Sequence, residues 1–237
     1  MEKLDNLDLE NKFIINSQAF QKLLNEVTDL NENLDNELDL QILFPPEKQR
    51  LWKIVLIGDG AVGKTSIRKR FIGQVFDPIY LSTIGADFST QTLVFGTENI
   101  KFQIWDLAGQ PKFMNVRKTF YNGSSGALLV YDVTNIQSYK NLENWISELW
   151  KHSKPGPIPF ILLGNKSDLE RDGLKSIPDQ YAEFLVKKYE KKTRPRYGFG
   201  INFLKTSAKT GDNISLAFKY LAIQIAVKQR YQKLKGD

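Results

Sequence analysis

A glycine-rich segment that ends in one lysine and one threonine carries the clearest chemical signal in the sequence. Residues 58–65 fit the spacing G-x-x-x-x-G-K-[ST] and follow the mostly apolar run 52–57. In such a turn from strand to helix, backbone N–H groups surround the oxygens of a phosphate. Lys64 is then expected to reach the β- and γ-phosphates, and Thr65 to hold a Mg²⁺ ion. The predicted phosphate-binding residues are Gly58, Asp59, Gly60, Ala61, Val62, Gly63, Lys64, Thr65 and Ser66.

A second group of polar residues follows the strand-like segment 102–105. Asp106 ends that segment, where a second Mg²⁺ partner is expected to act through a water molecule. Gly109 offers an N–H to a γ-phosphate with no side chain in the way, and Gln110 can orient the attacking water. An Asp-x-x-Gly turn is weak evidence alone, but its position behind a phosphate loop makes it specific. Gln110 and Lys64 are therefore the predicted catalytic residues.

The run 165–168, Asn-Lys-Ser-Asp, follows another apolar strand and is expected to select the base of the nucleotide. The Asp168 carboxylate can accept the N1–H and the 2-amino group of guanine together, and adenine offers no such pair. Asn165 is expected to bind N7 and the surrounding loops, and the Lys166 stem to lie over the ring. The predicted ligand is therefore GTP or GDP. An ATP-using enzyme conflicts with Asp168 and would need an acceptor-substrate domain.

Three residues after the last predicted strand complete the base site. Ser207, Ala208 and Lys209 occupy that loop, and the Ala208 N–H is expected to meet guanine O6. Asn, Asp and Ser are ordinary loop residues, so neither short run is specific alone. Their order along the chain, behind a phosphate loop, favours guanine over adenine.

The elements that must position these loops follow from apolar runs that alternate with segments of helical period. This pattern predicts an α/β fold, a six-stranded, mostly parallel sheet with helices on both faces, which binds ligands at the carboxyl ends of its strands. A three-residue connection makes the second and third strands an antiparallel hairpin. The predicted strands are 51–57, 87–95, 99–105, 126–132, 158–164 and 201–206. The predicted helices are 64–73, 112–121, 138–152, 178–192 and 213–233.

On these motifs the chain resembles the small GTPases of the Ras superfamily, with Rab-like features strongest. The resemblance covers residues 51 to about 233 and includes all five guanine-nucleotide boxes. It implies a phosphate-loop GTPase domain that hydrolyses GTP slowly and serves as a molecular switch. The run 80–88 looks like the first switch of a Rab, where Thr83 would bind Mg²⁺ and, through its N–H, the γ-phosphate. Phe76 matches the aromatic residue that packs edge-on against guanine. The implied metal ligands are Thr65, Thr83 and Asp106.

Departures from the family concern the rate of hydrolysis. Gly60 leaves room for a catalytic glutamine and an incoming arginine, and no arginine is evident in cis. We therefore expect slow intrinsic hydrolysis that an activating protein raises, together with an exchange factor and effectors. Pro111 stands where a Rab has glutamate. It either holds Gln110 in an altered conformation or merely begins the following helix. The alternative function is accordingly a GTP/GDP-binding interaction module with negligible hydrolysis.

The first 50 residues differ in character from the rest of the chain. They hold 11 acidic and 5 basic residues, a net charge of −6, whereas residues 51–237 carry a net charge of +12. Apolar residues at alternating spacings of three and four predict an amphipathic helix in residues 17–39, and Pro45 and Pro46 mark a linker. Since an isolated helix of this length is marginal in water, we expect fold-back onto the main domain, self-association, or a partner.

Composition restricts where the protein acts. No apolar run approaches the roughly 18 residues of a membrane span, and the sequence contains no cysteine. We therefore expect a cytoplasmic location without prenyl or palmitoyl groups, and membrane contact that is at most indirect or electrostatic. Basic and aromatic residues mix in residues 187–200, but a solvated helix face explains them better than nucleic acid, which is not an expected partner.

Overall fold

Strands and helices alternate along the described residues of this computed structural model, which are 50–77, 82–95, 98–171 and 174–235. Residues 1–49, which include the predicted amphipathic helix, lie outside these ranges. The strands are β1 Arg50–Ile57, β2 Ala86–Phe95, β3 Glu98–Leu107, β4 Gly126–Asp132, β5 Phe160–Asn165 and β6 Asn202–Thr206. The helices are α1 Lys64–Phe71, α2 Met114–Tyr121, α3 Ile136–Lys140, α4 Leu142–His152, α5 Asp168–Arg171, α6 Asp179–Tyr197 and α7 Ile214–Lys235.

The six strands form one sheet in the order β2-β3-β1-β4-β5-β6. β2 pairs with β3 in antiparallel fashion, and every other pairing is parallel. The predicted hairpin is therefore confirmed, although its turn, residues 96–97, lies outside the described part. β4 and β5 are buried along their whole length, which is the property of central parallel strands covered on both faces.

Each face of the sheet is covered by its own set of helices. On one face, α1 and α7 pack over the sheet, and Phe71 of α1 stacks on Phe218 of α7 with ring centroids 3.5 Å apart. On the other face, α2, α4 and α6 pack through Tyr121, Trp145 and Leu185. The predicted two-faced α/β architecture is therefore confirmed.

All five predicted helices differ from the structure at one end or both, and the helices predicted as 138–152 and 178–192 differ most. The segment 138–152 is two helices, because α3 begins earlier, where the Asn135 side chain accepts the N–H groups of Gln137 and Ser138, and Asn141 separates it from α4. The segment 178–192 extends to Tyr197 through Pro195. Pro195 has no N–H to donate, so the helix continues past it with one hydrogen bond fewer and ends at the left-handed Gly198 three residues later.

Truncation of the stacked Phe218 should destabilise the domain. Its side chain is fully buried, so Phe218→Ala should lower the free energy of unfolding by about 3–5 kcal/mol. Phe184→Ala is the matched control, because Phe184 is 70% exposed on α6 and its loss should cost less than about 0.5 kcal/mol. Urea unfolding of both variants measures the difference. Similar losses in the two variants would contradict the assignment of Phe218 to the core.

Candidate nucleotide site

The loop between β1 and α1 has the backbone of a phosphate cradle. Gly58 and Gly63 adopt positive φ angles of 136° and 98°. A Cβ at Gly58 would lie 2.1 Å from the Val130 carbonyl oxygen, and one at Gly63 would lie 2.2 Å from Asn165 Nδ2. Both positions therefore require glycine for conformation and for space. The loop also holds Ala61 at a φ of 63°, which few residues with a side chain adopt.

Lys64 opens α1 and points back along this loop. Its Nζ donates to the carbonyl oxygens of Gly58 at 2.8 Å and Asp59 at 2.7 Å. Burial lowers the pKa of the Lys64 amine to about 8, against the opposing effect of Asp106 and Asp59. A bound phosphate would favour the charged form of this amine, so the site is electrostatically suited to an anion.

Three oxygen-bearing side chains converge beside the loop. The Thr65 hydroxyl donates to Asp106 Oδ2 and lies 2.9 Å from the hydroxyl of Thr83. Burial raises the pKa of Asp106, opposed by the Thr65 hydrogen bond and the Lys64 charge. Asp106 Oδ1 is buried and has no hydrogen-bond partner among the described residues. Hydroxyl and carboxylate oxygens fit a hard cation such as Mg²⁺, whose remaining ligands would come from phosphate and water.

The segment after β3 approaches the phosphate loop closely. A Cβ at Gly109 would lie 2.4 Å from the Asp59 carbonyl carbon, so a side chain there would collide with the loop backbone. Gln110 is extended, with φ −70° and ψ 143°, and Pro111 begins a 3-10 turn that ends at Phe113. Gln110 Nε2 donates to Ser82 Oγ, and its Oε1 is buried and without a partner among the described residues. The geometry accommodates both interpretations of Pro111.

A buried arginine of α2 fixes the backbone around the glutamine. Arg117 Nη1 donates to the carbonyl oxygens of Ala108 at 3.1 Å and Gln110 at 2.8 Å. Its other nitrogens form a bidentate pair with Glu148 of α4 at 2.9 and 3.0 Å, and the guanidinium lies over the Trp145 ring. The planar guanidinium suits this combination of two carbonyls and one carboxylate. Arg117 therefore ties the segment 105–110, which resembles the second switch of a Rab, to α4.

The Asp59 side chain is held by the same helix. Its carboxylate accepts from Trp145 Nε1 and Asn141 Nδ2, each at 2.7 Å. The sequence prediction placed Asp59 among the phosphate-binding residues. In the structure its carboxylate is directed toward α4 and anchors the loop, while its backbone accepts from Lys64. Trp145 thus contacts both the phosphate loop and Arg117.

The two base loops are joined by Asn165. Its Nδ2 donates to the Val62 carbonyl at 2.8 Å, and its Oδ1 accepts from the Ala208 N–H and the Thr206 hydroxyl, each at 3.3 Å. One side chain therefore connects the phosphate loop with both predicted guanine loops.

Asp168 is oriented by the neighbouring loop. Its Oδ1 accepts from the Ser207 hydroxyl, while Lys209 Nζ lies 3.8 Å from Oδ2. Lys166 adopts a φ of 68° and pairs with Asp132 at 2.6 Å. Asp168, Lys166 and Lys209 line the same pocket, as the guanine hypothesis requires.

A cavity of about 470 Å³ unites these features at the carboxyl edge of the sheet. Fifteen predicted residues line it: Gly60, Ala61, Gly63, Lys64, Thr65, Ser66, Phe76, Thr83, Gly109, Gln110, Asn165, Lys166, Asp168, Ala208 and Lys209. The other five are not among its lining residues: Gly58, Asp59, Val62, Asp106 and Ser207. They contact lining residues or lie beside them in the chain. Lys69, Val75, Asp77 and Leu169 also line the cavity and were not predicted.

Comparison with known proteins identifies the family of the chain. The model of the Ras family matches residues 53–227. The chain is 36% identical to Ras-related protein Rab-13 of Bos taurus over 187 residues, 79% of this chain and 86% of the relative. It is 38% identical to Ras-related protein Rab-8A of Gallus gallus over 187 residues, 79% of this chain and 84% of that protein. The chain belongs to the Ras family. It is a Rab-like small GTPase, a molecular switch that binds GTP and GDP and hydrolyses GTP.

Sequence reasoning missed the residues that brace this Ras-family site. Arg117 and Glu148 lie 31 positions apart, and Asp59 and Trp145 lie 86 apart, so no local motif links them. A weak signal exists in the acidic Glu148, which lies on an otherwise apolar face of α4 beside Trp145 and Leu149. A charge on a buried face usually has a partner. The sequence alone does not identify that partner as Arg117.

The GTPase also presents apolar side chains beside its switch segments. Phe88, Trp105 and Phe120 form a row of rings with centroids 4.8 Å apart, and Phe88 is 45% exposed. Ile84, in the first switch segment, is 83% exposed. Apolar surface of this kind marks an interaction site more often than isolated exposed residues do. Within the described ranges, no helix combines the length and the hydropathy that a membrane crossing requires.

Loss of the Asn165 amide should weaken nucleotide binding. Asn165→Ala removes hydrogen bonds that join three loops, which should cost about 2 kcal/mol of binding free energy and speed GDP dissociation about 30-fold. Asn115→Ala is the control, because the exposed Asn115 side chain accepts a hydrogen bond from Lys118 on the surface of α2 and joins no loops among the described residues. Release of a fluorescent GDP analogue measures both variants. Equal dissociation rates would show that Asn165 does not hold the loops together.

Proposed function

We propose that this Rab-like GTPase is a Mg²⁺-dependent switch in which Thr83 and Gly109 respond to the γ-phosphate of GTP. The main observation that supports the proposal is that both switch segments contact the residues of the phosphate loop. The Thr83 hydroxyl lies 2.9 Å from that of Thr65, and the Gly109 backbone packs directly on Asp59 and Gly60. A γ-phosphate at this junction can bind the N–H groups of both segments. Its loss on hydrolysis removes those contacts and relaxes both switches.

Thr65, Thr83 and Asp106 would hold Mg²⁺. The partnerless Asp106 Oδ1 supports this set, because a buried carboxylate oxygen needs a hydrogen-bond donor or a cation. A bound Mg²⁺ neutralises charge on the β- and γ-phosphate oxygens. Within the described residues, histidine, cysteine and acidic side chains form no metal-binding cluster of three. The proposed set instead combines two hydroxyl oxygens with one carboxylate, and phosphate and water would supply the remaining ligands.

We assign the hydrolytic step to Lys64 and Gln110. Lys64 would stabilise the charge that develops on the phosphate oxygens, and Gln110 would orient the attacking water through its partnerless Oε1. No arginine is among the residues that line the cavity in the described ranges. An activating protein that supplies one would accelerate hydrolysis by about 10³ to 10⁵.

Base selection is assigned to the pocket around Asp168. The Ser207 hydroxyl fixes one carboxylate oxygen of Asp168, which orients the other toward a ligand with parallel donors. Guanine has such donors and adenine does not. Lys166 and Phe76 would enclose the ring, and Ala208 N–H would bind O6. The ATP-using alternative finds no support in this arrangement.

The partners of the switch are an exchange factor, an activating protein and effectors. Phe88, Trp105 and Phe120 with Ile84 form the surface that we assign to effectors, because Phe88 and Trp105 lie on the hairpin between the two switches and Phe120 of α2 packs on Trp105. The Rab names of the relatives support a role in trafficking, for which we propose a cytoplasmic location. Membrane contact would then be mediated by a protein partner or by charge.

A direct experiment tests the proposed mechanism. Nucleotide released from the purified full chain is identified by chromatography, and single-turnover hydrolysis of GTP is then followed with Mg²⁺ and with a chelator. We expect GDP in the purified protein, displacement by GTP but not by ATP, and loss of hydrolysis on chelation. Displacement by ATP as readily as by GTP would overturn the guanine assignment. Hydrolysis that persists without Mg²⁺ would overturn the metal assignment.

Asp168→Asn should change the base preference. The substitution removes a charged acceptor for two guanine donors and should weaken GTP binding by at least about 3 kcal/mol, or about 100-fold. Xanthosine triphosphate carries a 2-oxo group in place of the amine, so the new amide should bind it better than the parent does. Competition against a fluorescent guanine nucleotide measures both affinities. An unchanged GTP affinity would place Asp168 outside the base site.

Substitution of Arg117 should slow hydrolysis more than substitution of Pro111. Arg117→Lys keeps a positive charge beside Glu148 but cannot also reach both carbonyls, so misplaced Gln110 should slow hydrolysis about 10-fold or more. Pro111→Glu should change the rate less than about threefold, because a first-turn position lacks an intrahelical N–H bond anyway. Single-turnover rates, with GDP dissociation as a control for binding, measure both. A larger effect of Pro111→Glu would mean that the proline holds the glutamine.

A further inference from the structure

The phosphate loop contains an acidic residue although its ligand is an anion. Asp59 is the only acid among residues 58–66, and Lys64 is the only base. A carboxylate close to phosphate oxygens repels them and lowers the affinity of a site for nucleotide. The orientation of the Asp59 carboxylate therefore bears directly on nucleotide binding.

Two neutral N–H donors hold the Asp59 carboxylate on the side of α4. Trp145 Nε1 donates to Oδ1 and Asn141 Nδ2 donates to Oδ2, each at 2.7 Å. The neighbouring Gly60 and Ala61 line the nucleotide cavity, whereas Asp59 is not among its lining residues in the described part of the chain. The acid is thus directed away from the cavity by donors that carry no charge of their own.

The indole of Trp145 is itself fixed in one orientation. Its side chain is buried in the core, and the guanidinium carbon of Arg117 lies 4.4 Å from the ring centroid. Arg117 is in turn held by its bidentate pair with Glu148 of the same helix. A ring packed in this way does not rotate freely, so its N–H stays directed at Asp59.

The charge of Asp59 nevertheless acts on the phosphate side of the loop. Burial lowers the pKa of the Lys64 amine, and the charges of Asp106 and Asp59 oppose that shift, so Asp59 lies within electrostatic reach of the amine. The Asp59 carbonyl oxygen accepts from Lys64 at 2.7 Å, and a Cβ at Gly109 would lie 2.6 Å from the same oxygen. The place that we assign to the γ-phosphate therefore adjoins Asp59.

We propose that Trp145 is a positioning residue that sets the relative affinity of the site for GTP and GDP through the Asp59 carboxylate. Held by Trp145, the carboxylate lies on the α4 side and leaves the Lys64 amine to the phosphates. Without the indole N–H, Asn141 alone holds the carboxylate, whose freed oxygen then competes with the phosphates for the amine. The third phosphate of GTP adds charge beside Asp59, so GTP loses more affinity than GDP. This inference rests on the proposed function, which places the γ-phosphate beside Gly109.

Trp145→Phe tests the role of the indole N–H, because phenylalanine keeps a ring beside Arg117 but has no donor. Trp150→Phe is the matched control, since Trp150 lies on the same helix and its Nε1 donates to the Ile158 carbonyl at 3.0 Å, near the amino end of β5. Competition against a fluorescent guanine nucleotide, with excess Mg²⁺, measures the affinities for GDP and for a non-hydrolysable GTP analogue.

The two affinities should respond differently to the loss of the donor. We expect Trp145→Phe to weaken binding of the analogue at least about fivefold and binding of GDP less than about twofold, and Trp150→Phe to change neither by more than about twofold. An unchanged ratio of the two affinities in Trp145→Phe that still binds one nucleotide per chain would overturn the proposal.

Removal of the charge separates this role from a merely structural one. In Asp59→Ala, the further change Trp145→Phe should alter the affinity for the analogue less than about twofold, because no carboxylate remains to be released. Asn141→Ala removes the second donor and should act in the same direction as Trp145→Phe, again only while Asp59 is present. A loss that is equal for GDP and the analogue, or that persists in Asp59→Ala, would mean that Trp145 only packs the core and would overturn the proposal.

Gly109→Ala reports separately on the proposed function. Its methyl group would collide with the Asp59 backbone, so this variant should weaken binding of the analogue more than binding of GDP. Unchanged affinities in Gly109→Ala would overturn the placement of the γ-phosphate and the inference that rests on it. A selective loss in Gly109→Ala without one in Trp145→Phe would overturn the role of Trp145 alone.

Discussion

The hydrogen bond between Asn165 and the Val62 carbonyl is the constraint on which the nucleotide site depends. It joins two loops 103 positions apart, and it forms only because Gly63 has no Cβ, which would otherwise occupy the place of the amide. The phosphate loop packs one side chain, Val62, into the hydrophobic core, and the rest of its shape is set by its glycine backbone and by contacts from neighbouring elements. Asn165 fixes it from the side of the base loops, and α4 fixes it through Asp59 from the other side.

Burial of charge gives this site its affinity for nucleotide. Lys64 and Asp106 are both buried, and the pKa of each is shifted toward its neutral form. Protein groups alone satisfy their charges incompletely, as the partnerless Asp106 Oδ1 shows among the described residues. A ligand that carries phosphates and a divalent cation supplies what both groups need. Ligand binding and stability of this region are consequently linked.

Much of the fold could be predicted because its signals are local. The phosphate loop is a contiguous motif, and the strands that position the base loops are apolar runs. Their order along the chain was therefore enough to predict the α/β fold. The interactions around Gln110 could not be predicted in the same way. From the sequence, Arg117 cannot be distinguished from an ordinary surface residue of an amphipathic helix, because Glu148 and Trp145 contact it only in the folded chain. The continuation of α6 through Pro195 was missed because a proline usually ends a helix at the preceding residue, and no local signal shows that this one does not.

The antiparallel pairing of β2 with β3 has a consequence for how the switch is recognised. β2 begins where the first switch segment ends, and β3 ends where the second begins, and the Ala108 N–H donates to the Gly85 carbonyl at 2.9 Å across this junction. The two switch segments are thus attached to the two ends of one hairpin, on the side away from its turn. A protein that binds the Phe88 and Trp105 rings on that hairpin contacts both of the strands that lead to the switch segments. Its response to the nucleotide can therefore be one cooperative transition instead of two separate ones.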